Sequence, residues 1–279
     1  MAPTITAETL GSVLDEFARK VEQVRNTPGD VDNAFDTAVA SAYGEEFGDP
    51  ASPGFVFDAG LALASSDLAT YLRHHQAEVK EGIRQLLENL HGAIESMRAP
   101  VAFVETGELW LSLRSTIQGA QNFEVIQAGL NSWQGLAAEK YAGTRQAQNA
   151  ALASVEGLCS ILHDCMYAIA TAAWDFYSAV VEKLASFLVK LASALAKIES
   201  LVAAYQGASD AIAAAKAAAN DMGELSLKLG SVLMKEEDGT GVIDSAIDNP
   251  VGMLGNKWPP AGAGGKFDVN SAGEGWQPR

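Results

Sequence analysis

Twelve positions in the second half of the chain leave little choice of secondary structure. Tyr167, Ala170, Trp174, Tyr177, Val181, Leu184, Leu188, Leu191, Leu195, Ile198, Val202 and Tyr205 follow one another in alternating steps of three and four, and all are apolar or aromatic. Steps of that kind line side chains along one stripe of an α-helix. Sustained over about five heptads, they read as a coiled-coil seam, with Trp174, Tyr177, Val181, Leu184, Leu188, Leu191, Leu195 and Ile198 as its packing positions. A helix continuous from Leu136 to Gln206 would be on the order of 100 Å long. Such a seam needs a second element or a second chain to cover it.

The rest of the chain agrees. Apolar residues make up 48% of the sequence, with alanine the dominant contributor, and alanine has no side-chain entropy to lose in a helix. No segment alternates as a strand between hairpin turns, so the class is all-α. Leu10, Val13, Leu14, Phe17, Val21 and Val24 mark a first helix, interrupted at Asn26-Thr27-Pro28-Gly29-Asp30. A second stretch carries Val31, Phe35 and Val39 to Tyr43, and a long helix with Leu61, Leu72, Ile83, Leu90 and Ile94 runs from Asp58 to about Met97, where Pro100 stops it. Gly207 reads as the terminator of the long seam helix. The alanine-rich segment after it, Ala211 to about Met234, reads as a helix folding back on the seam.

Between two helical patterns stands Trp133-Gln134-Gly135-Leu136-Ala137-Ala138-Glu139-Lys140-Tyr141-Ala142-Gly143. Gly135 can take a backbone conformation closed to other residues, and Trp133 brings a large apolar body with a polar N–H. This run resembles the WXG100 superfamily and its larger relatives among ESX (type VII) secretion substrates of actinobacteria, the EspA/EspE/EspB-like group. In those larger relatives small residues, a charged pair and Tyr-Ala-Gly follow the Trp-x-Gly. The resemblance is specific over about residues 130–150. It implies a helical hairpin with Trp133, Gly135 and Tyr141 at or after its turn. In the first hundred residues Phe47 and Gly48, within Tyr43-Gly44-Glu45-Glu46-Phe47-Gly48, stand as a degenerate counterpart.

The expected architecture is therefore an elongated helical bundle of two tandem helix-turn-helix hairpins. Residues 1–100 form a degenerate WXG-like hairpin, residues 101–237 the WXG-type hairpin with its long helix and fold-back helix, and residues 238–279, rich in glycine and proline, a flexible tail. Two hairpins in one chain can close a four-helix bundle.

Charge excludes some partners. With 35 acidic against 19 basic residues the formal net charge is −16, and no cluster of cations is present to neutralise phosphates, so nucleic acid is not a partner. Anionic lipid is disfavoured for the same reason. Membrane contact is not predicted, since Asp175, Glu182, Lys183 and Lys190 interrupt the most apolar stretch. Cys159 and Cys165 lie about 9 Å apart along a helix, beyond disulfide reach. The amino terminus, Met1-Ala2-Pro3-Thr4-Ile5-Thr6, has neither the basic nor the apolar region of a cleaved signal.

No catalytic, metal or cofactor site is expected. Cys159 and His163 share a helix face with Asp164 beside them, but no glycine-rich turn supplies an oxyanion hole. His74 and Glu78 are spaced to touch, whereas the adjacent His74 and His75 point about 100° apart and serve one ion poorly. Glycine-rich stretches lack the preceding strand of a phosphate loop.

The resemblance implies a non-enzymatic protein, exported without a cleaved signal peptide and acting by protein–protein assembly at the cell envelope or outside the cell. Its partners would be the type VII secretion machinery and a co-secreted small helical protein, or a second copy of itself. Relatives often carry Tyr-x-x-x-Asp/Glu after the hairpin as an export signal. Here none of the six tyrosines is followed at that distance by an acid, so a partner chain is expected to supply the signal. Two other readings are an oligomerising membrane-active protein, using the 167–195 surface, and a cytosolic helical adaptor or toxin partner.

Overall fold

The computed structural model describes residues 5–44, 55–126, 134–200, 202–248 and 250–259. Among them the protein is all-helical: α1 (Ala7–Gly44), α2 (Phe55–Ser96), α3 (Ala99–Ile126), α4 (Leu136–Glu199) and α5 (Ala204–Asp248), followed by a short 3₁₀ turn at Leu254–Asn256. Two compact units share these helices. One comprises the described parts of Met1–Val101 with Thr171–Ser231, the other those of Ala102–Ala170 with Val232–Arg279.

Helix α1 does not break at Asn26 to Asp30, as its sequence suggested, but runs through Pro28. Proline lacks the N–H that would donate to the carbonyl of Val24. Thr27, buried at 5% exposure, repairs the loss by donating its Oγ1 hydroxyl to that same carbonyl at 2.7 Å. The apolar stripe therefore continues unbroken from Leu10, Leu14, Phe17, Val21 and Val24 to Val31, Phe35, Ala38 and Ala42, all buried.

Pro100 was expected to stop the long helix. Helix α2 does stop where expected, at Ser96, but Pro100 does not itself end it: Pro100 sits in the first turn of α3, where a missing N–H has no partner to lose.

Gly207 likewise ends nothing. Helix α4 stops at Glu199, with the Ser200 hydroxyl on the carbonyl of Lys197 at 2.7 Å, and Gly207 lies inside α5. A Cβ there would stand 2.7 Å from the carbonyl oxygen of Ala194 and 2.8 Å from the amide nitrogen of Ile198. The glycine thus lets two helix backbones approach to contact. Buried Ala204, Ala208, Ala211, Ala215 and Ala218 extend the same close approach along α5. At the other end α5 is helical to Asp248, ten residues into the stretch from Asp238 expected to lack regular structure. Near its end Ala246 and Ile247 border a recess shared with Val155 and Leu158 of α4.

In the first unit, four helical segments close around one core. Helices α1 and α2 are antiparallel: Lys80 reaches back to Asp32 at 2.9 Å and Gln76 donates to Asp32 Oδ1 at 2.8 Å. The second half of α4 joins them through Tyr177, whose ring meets Phe17 edge-on at 5.0 Å between centroids. The first half of α5 runs antiparallel to α4, with Lys197 on Asp210 at 2.7 Å and Lys183 on Asp221 at 3.1 Å. It also packs on α2, where Asn89 donates to the carbonyl of Ala219 at 3.0 Å and a Cβ on Gly82 would stand 2.8 Å from that of Ala215. The result is an up-down-up-down four-helix bundle. The largest fully buried side chains of the described chain, among them Phe17, Phe35, Leu72, Ile83, Leu90, Leu184, Ile198 and Met222, all belong to this unit.

In the second unit, α3 runs antiparallel to the first half of α4. Gly107 lies against His163 and Met166, while Gln118 Nε2 donates to Glu156 Oε1 at 2.6 Å and Arg114 Nε approaches the same oxygen at 3.4 Å. The segment after α5 returns to α4. Ser154 donates its hydroxyl to the carbonyl of Val251 at 2.8 Å, and Gly252, at φ +86°, is seated where a Cβ would be 2.5 Å from the amide nitrogen of Ala151.

Candidate functional site

The hairpin turn is described from Gln134 onward; Trp133, Phe47 and Gly48 lie outside the described residues. Gly135 has φ +103°, a conformation that costs any residue with a Cβ. Its carbonyl accepts the Glu139 amide at 3.1 Å, the first bond of α4. Glu139 in that first turn sets a carboxylate near the positive end of a helix of 64 residues. Gly135 therefore takes a glycine conformation at the start of the longest helix among the described residues. Two turns on, Tyr141 is exposed, with the Arg145 guanidinium 5.9 Å from the centre of its ring.

The seam is buried, but in a different phase from the expected one. Tyr177, Leu184, Leu191 and Ile198 are buried, at 3%, 0%, 2% and 0% exposure. Their companions in the core are Ala173, Val180, Phe187 and Ala194, one residue earlier than the expected Trp174, Val181, Leu188 and Leu195. Trp174, Val181 and Leu188 are half-buried flanks, and Leu195 sits at the edge of burial with 9% exposure. Positions three and four after a buried residue lie on either side of it, and a helix inside a four-helix bundle is covered over more than one narrow stripe. The signal for the true phase was in the sequence, as apolar residues at 173, 180, 187 and 194 in the same alternation. The seam also ends at Ile198: Val202 lies in the turn at 100% exposure, and Tyr205 belongs to α5, where its ring meets Tyr71 at 4.7 Å.

Elsewhere the described residues bring together little reactive chemistry. Cys159 is fully buried and burial pushes its thiol above the usual range. His163 Nδ1 is bonded to Asp164 Oδ1 at 2.9 Å, and its ring stacks on Tyr167. His74 and Glu78 do meet, at 3.3 Å, yet among the described residues no group of three His, Cys, Asp or Glu side chains is placed to hold a metal. A groove of about 670 Å³ on α1 and α2 is bordered by Pro28, Asp32, Arg73, Lys80 and Arg84. Lys80 is engaged there by Asp32, and Arg84 by Glu81 and Glu88. A smaller recess of about 210 Å³ lies between Val155 and Leu158 of α4 and Ile247, Pro250 and Met253. Among the described residues no helix is long and apolar enough to cross a membrane.

No family model matches the chain, and neither the curated proteins nor the solved structures yield a match.

Proposed function

We propose that the chain is a non-enzymatic helical substrate of a type VII (ESX) secretion system, acting by protein–protein assembly at the cell envelope or beyond it. The observation that carries the reading is the turn. In sequence, Trp133-Gln134-Gly135 stands between the antiparallel helices α3 and α4, with Gly135 at φ +103° and the small residues, charged pair and Tyr141-Ala142-Gly143 following in the first turns of α4. That layout supports the reading of the run as a WXG100-like turn. The antiparallel pair α1 and α2 supplies the earlier hairpin, so the tandem arrangement of two hairpins, the second bearing the motif, is part of the proposal.

The assembly part of the reading draws on exposure. Of the fifteen large hydrophobic side chains exposed among the described residues, eleven belong to the second unit, from Leu109, Leu111 and Leu113 to Val251 and Trp258. Apolar groups concentrated in one unit mark an interaction region. The partner is a helical protein, and because no tyrosine here is followed by the acid of the export signal, that partner carries the signal. Appearance of the chain outside the cytosol only when the ESX motor ATPase is present tests the proposal.

A further inference from the structure

Helix α3 is apolar without being clearly amphipathic, and a helix of that kind is normally covered on more than one side. Its inner face, with Val104, Gly107 and Ile117, is buried. On another face a second stripe runs at heptad spacing: Ala102, Thr106, Leu109, Leu113, Thr116 and Ala120, separated by steps of four, three, four, three and four. Leu109 is 69% and Leu113 42% exposed; Ala102, Thr116 and Ala120 are exposed, and Thr106 is half-buried.

The stripe reads the same in both directions. Residue types run Ala, Thr, Leu, Leu, Thr, Ala, and the spacing is symmetric about position 111. A two-fold axis placed at that point sets Leu109 against Leu113 of a second copy, Thr106 against Thr116, and Ala102 against Ala120, with large side chains at the centre and small ones at the ends. Self-complementarity of this kind is what an isologous interface requires. From Leu109 to Asn122 the one charged side chain is Arg114, and it is turned to Glu156. Thr116 spends its hydroxyl on the carbonyl of Ser112 at 3.0 Å. A chain of net charge −16 meets its own copy only across a neutral face. Of the three acids of α3, Glu105 and Glu108 stand towards one end and Glu124 at the other, and antiparallel packing leaves Glu124 about 10 Å along the axis from Glu105 of the second copy. Antiparallel packing carries Glu105 about 18 Å along the axis from its own copy and Glu108 about 9 Å, at or beyond the screening length of roughly 8 Å in physiological salt, whereas parallel packing would superpose them.

We infer that this stripe is a self-association surface, on which α3 of two copies pairs antiparallel about a two-fold axis near Leu111. The inference deepens the assembly part of the proposed function and is independent of export. A contact about 27 Å long falls short of the area of a standard stable interface, so the dimer is weak and concentration-dependent.

Sedimentation velocity of the full chain, at loading concentrations from about 1 to about 300 µM, tests it. The expected result is a mass rising from 29.3 kDa towards twice that value, with Leu109→Lys and Leu113→Glu each remaining monomeric at the concentrations where the wild type pairs. Because both positions are exposed, unchanged helical circular dichroism separates lost pairing from lost folding. An equimolar mixture of the two variants should recover dimer, since the antiparallel register sets the ammonium introduced at position 109 of one copy against the carboxylate introduced at position 113 of the other. A wild type that stays monomeric throughout, or assembly that survives in Leu109→Lys, overturns the inference, and failure of the mixture to recover overturns the antiparallel register. A monomeric result leaves the export proposal standing, and failed export leaves the pairing standing.

Discussion

The hydroxyl of Tyr177 donates to the main-chain carbonyl of Ala93 at 2.8 Å, tying α4 to the end of α2 while its ring packs on Phe17 and Phe176. Burial pushes its phenol above the ordinary value against a smaller lowering by the hydrogen bond with Ser96, so the donor stays protonated throughout the neutral range. Tyr177→Phe keeps the ring and loses the bond, and should cost about 1 kcal/mol. Tyr177→Ala also empties the space between α1, α2 and α4 and should cost about 3–5 kcal/mol, on the scale of large aromatic truncations. Urea unfolding of both variants checks the ratio.

Two glycines should respond to alanine with opposite signs. At Gly207 the added methyl meets main-chain atoms of Ala194 and Ile198 below 3 Å, and backbone cannot swing aside. An overpacking cost of about 1–3 kcal/mol should outweigh the helix propensity gained. Gly92, inside α2 with open space where its Cβ would stand, should gain up to about 1 kcal/mol. Thermal unfolding of the two variants beside the wild type distinguishes a packing glycine from an idle one.

At the hairpin, Gly135→Ala forces a Cβ into a positive-φ conformation. The expected loss is about 1–3 kcal/mol. If α4 starts from this residue, hydrogen exchange should show the amides just after Leu136 exchanging faster in the variant, with those around Leu184 unchanged.

Acid should loosen the bundle in a defined window. The hydrogen bond from Lys80 holds the Asp32 carboxyl below its ordinary 3.8, and that from Arg84 holds Glu81 at about 2 against an ordinary 4.5. Both carboxyls have lower values folded than unfolded, so their contribution is complete above the unfolded values and is lost as pH falls through the folded ones. Stability should therefore be flat near neutrality and fall from about pH 4.5 towards pH 2. Asp32→Asn should show a shallower fall across that window in urea midpoints taken at successive pH values. Both groups are largely solvated, so the change is small.

Much of this fold was legible from residue spacing, because a helix writes its buried face at intervals of three and four. The all-helical class, the stripe of α1 and the antiparallel return after α4 follow from such positions. What sequence reading missed turned on contacts that leave no periodic signal in the chain. Pro28 looked like a break because the hydroxyl of Thr27 that replaces its N–H is not a periodic signal. Gly207 looked like a terminator because its neighbours Ala194 and Ile198 come from another helix. The seam was taken one residue late at every second position, since apolar residues stand at both 173 and 174 and at both 187 and 188, and only the number of covering helices decides between them. Of the expected turn, Gly135 and Tyr141 are described, and Trp133, Phe47 and Gly48 fall outside the described residues.

Export by the type VII route is a proposal about where the chain goes in the cell. Its most direct measurement is the distribution of this chain among cytosol, envelope and medium in its native host, compared with the same strain lacking the ESX motor ATPase. Proposed export predicts protein in envelope or medium that disappears from both when the ATPase is absent and accumulates in the cytosol. The same cytosolic distribution in both strains would contradict it.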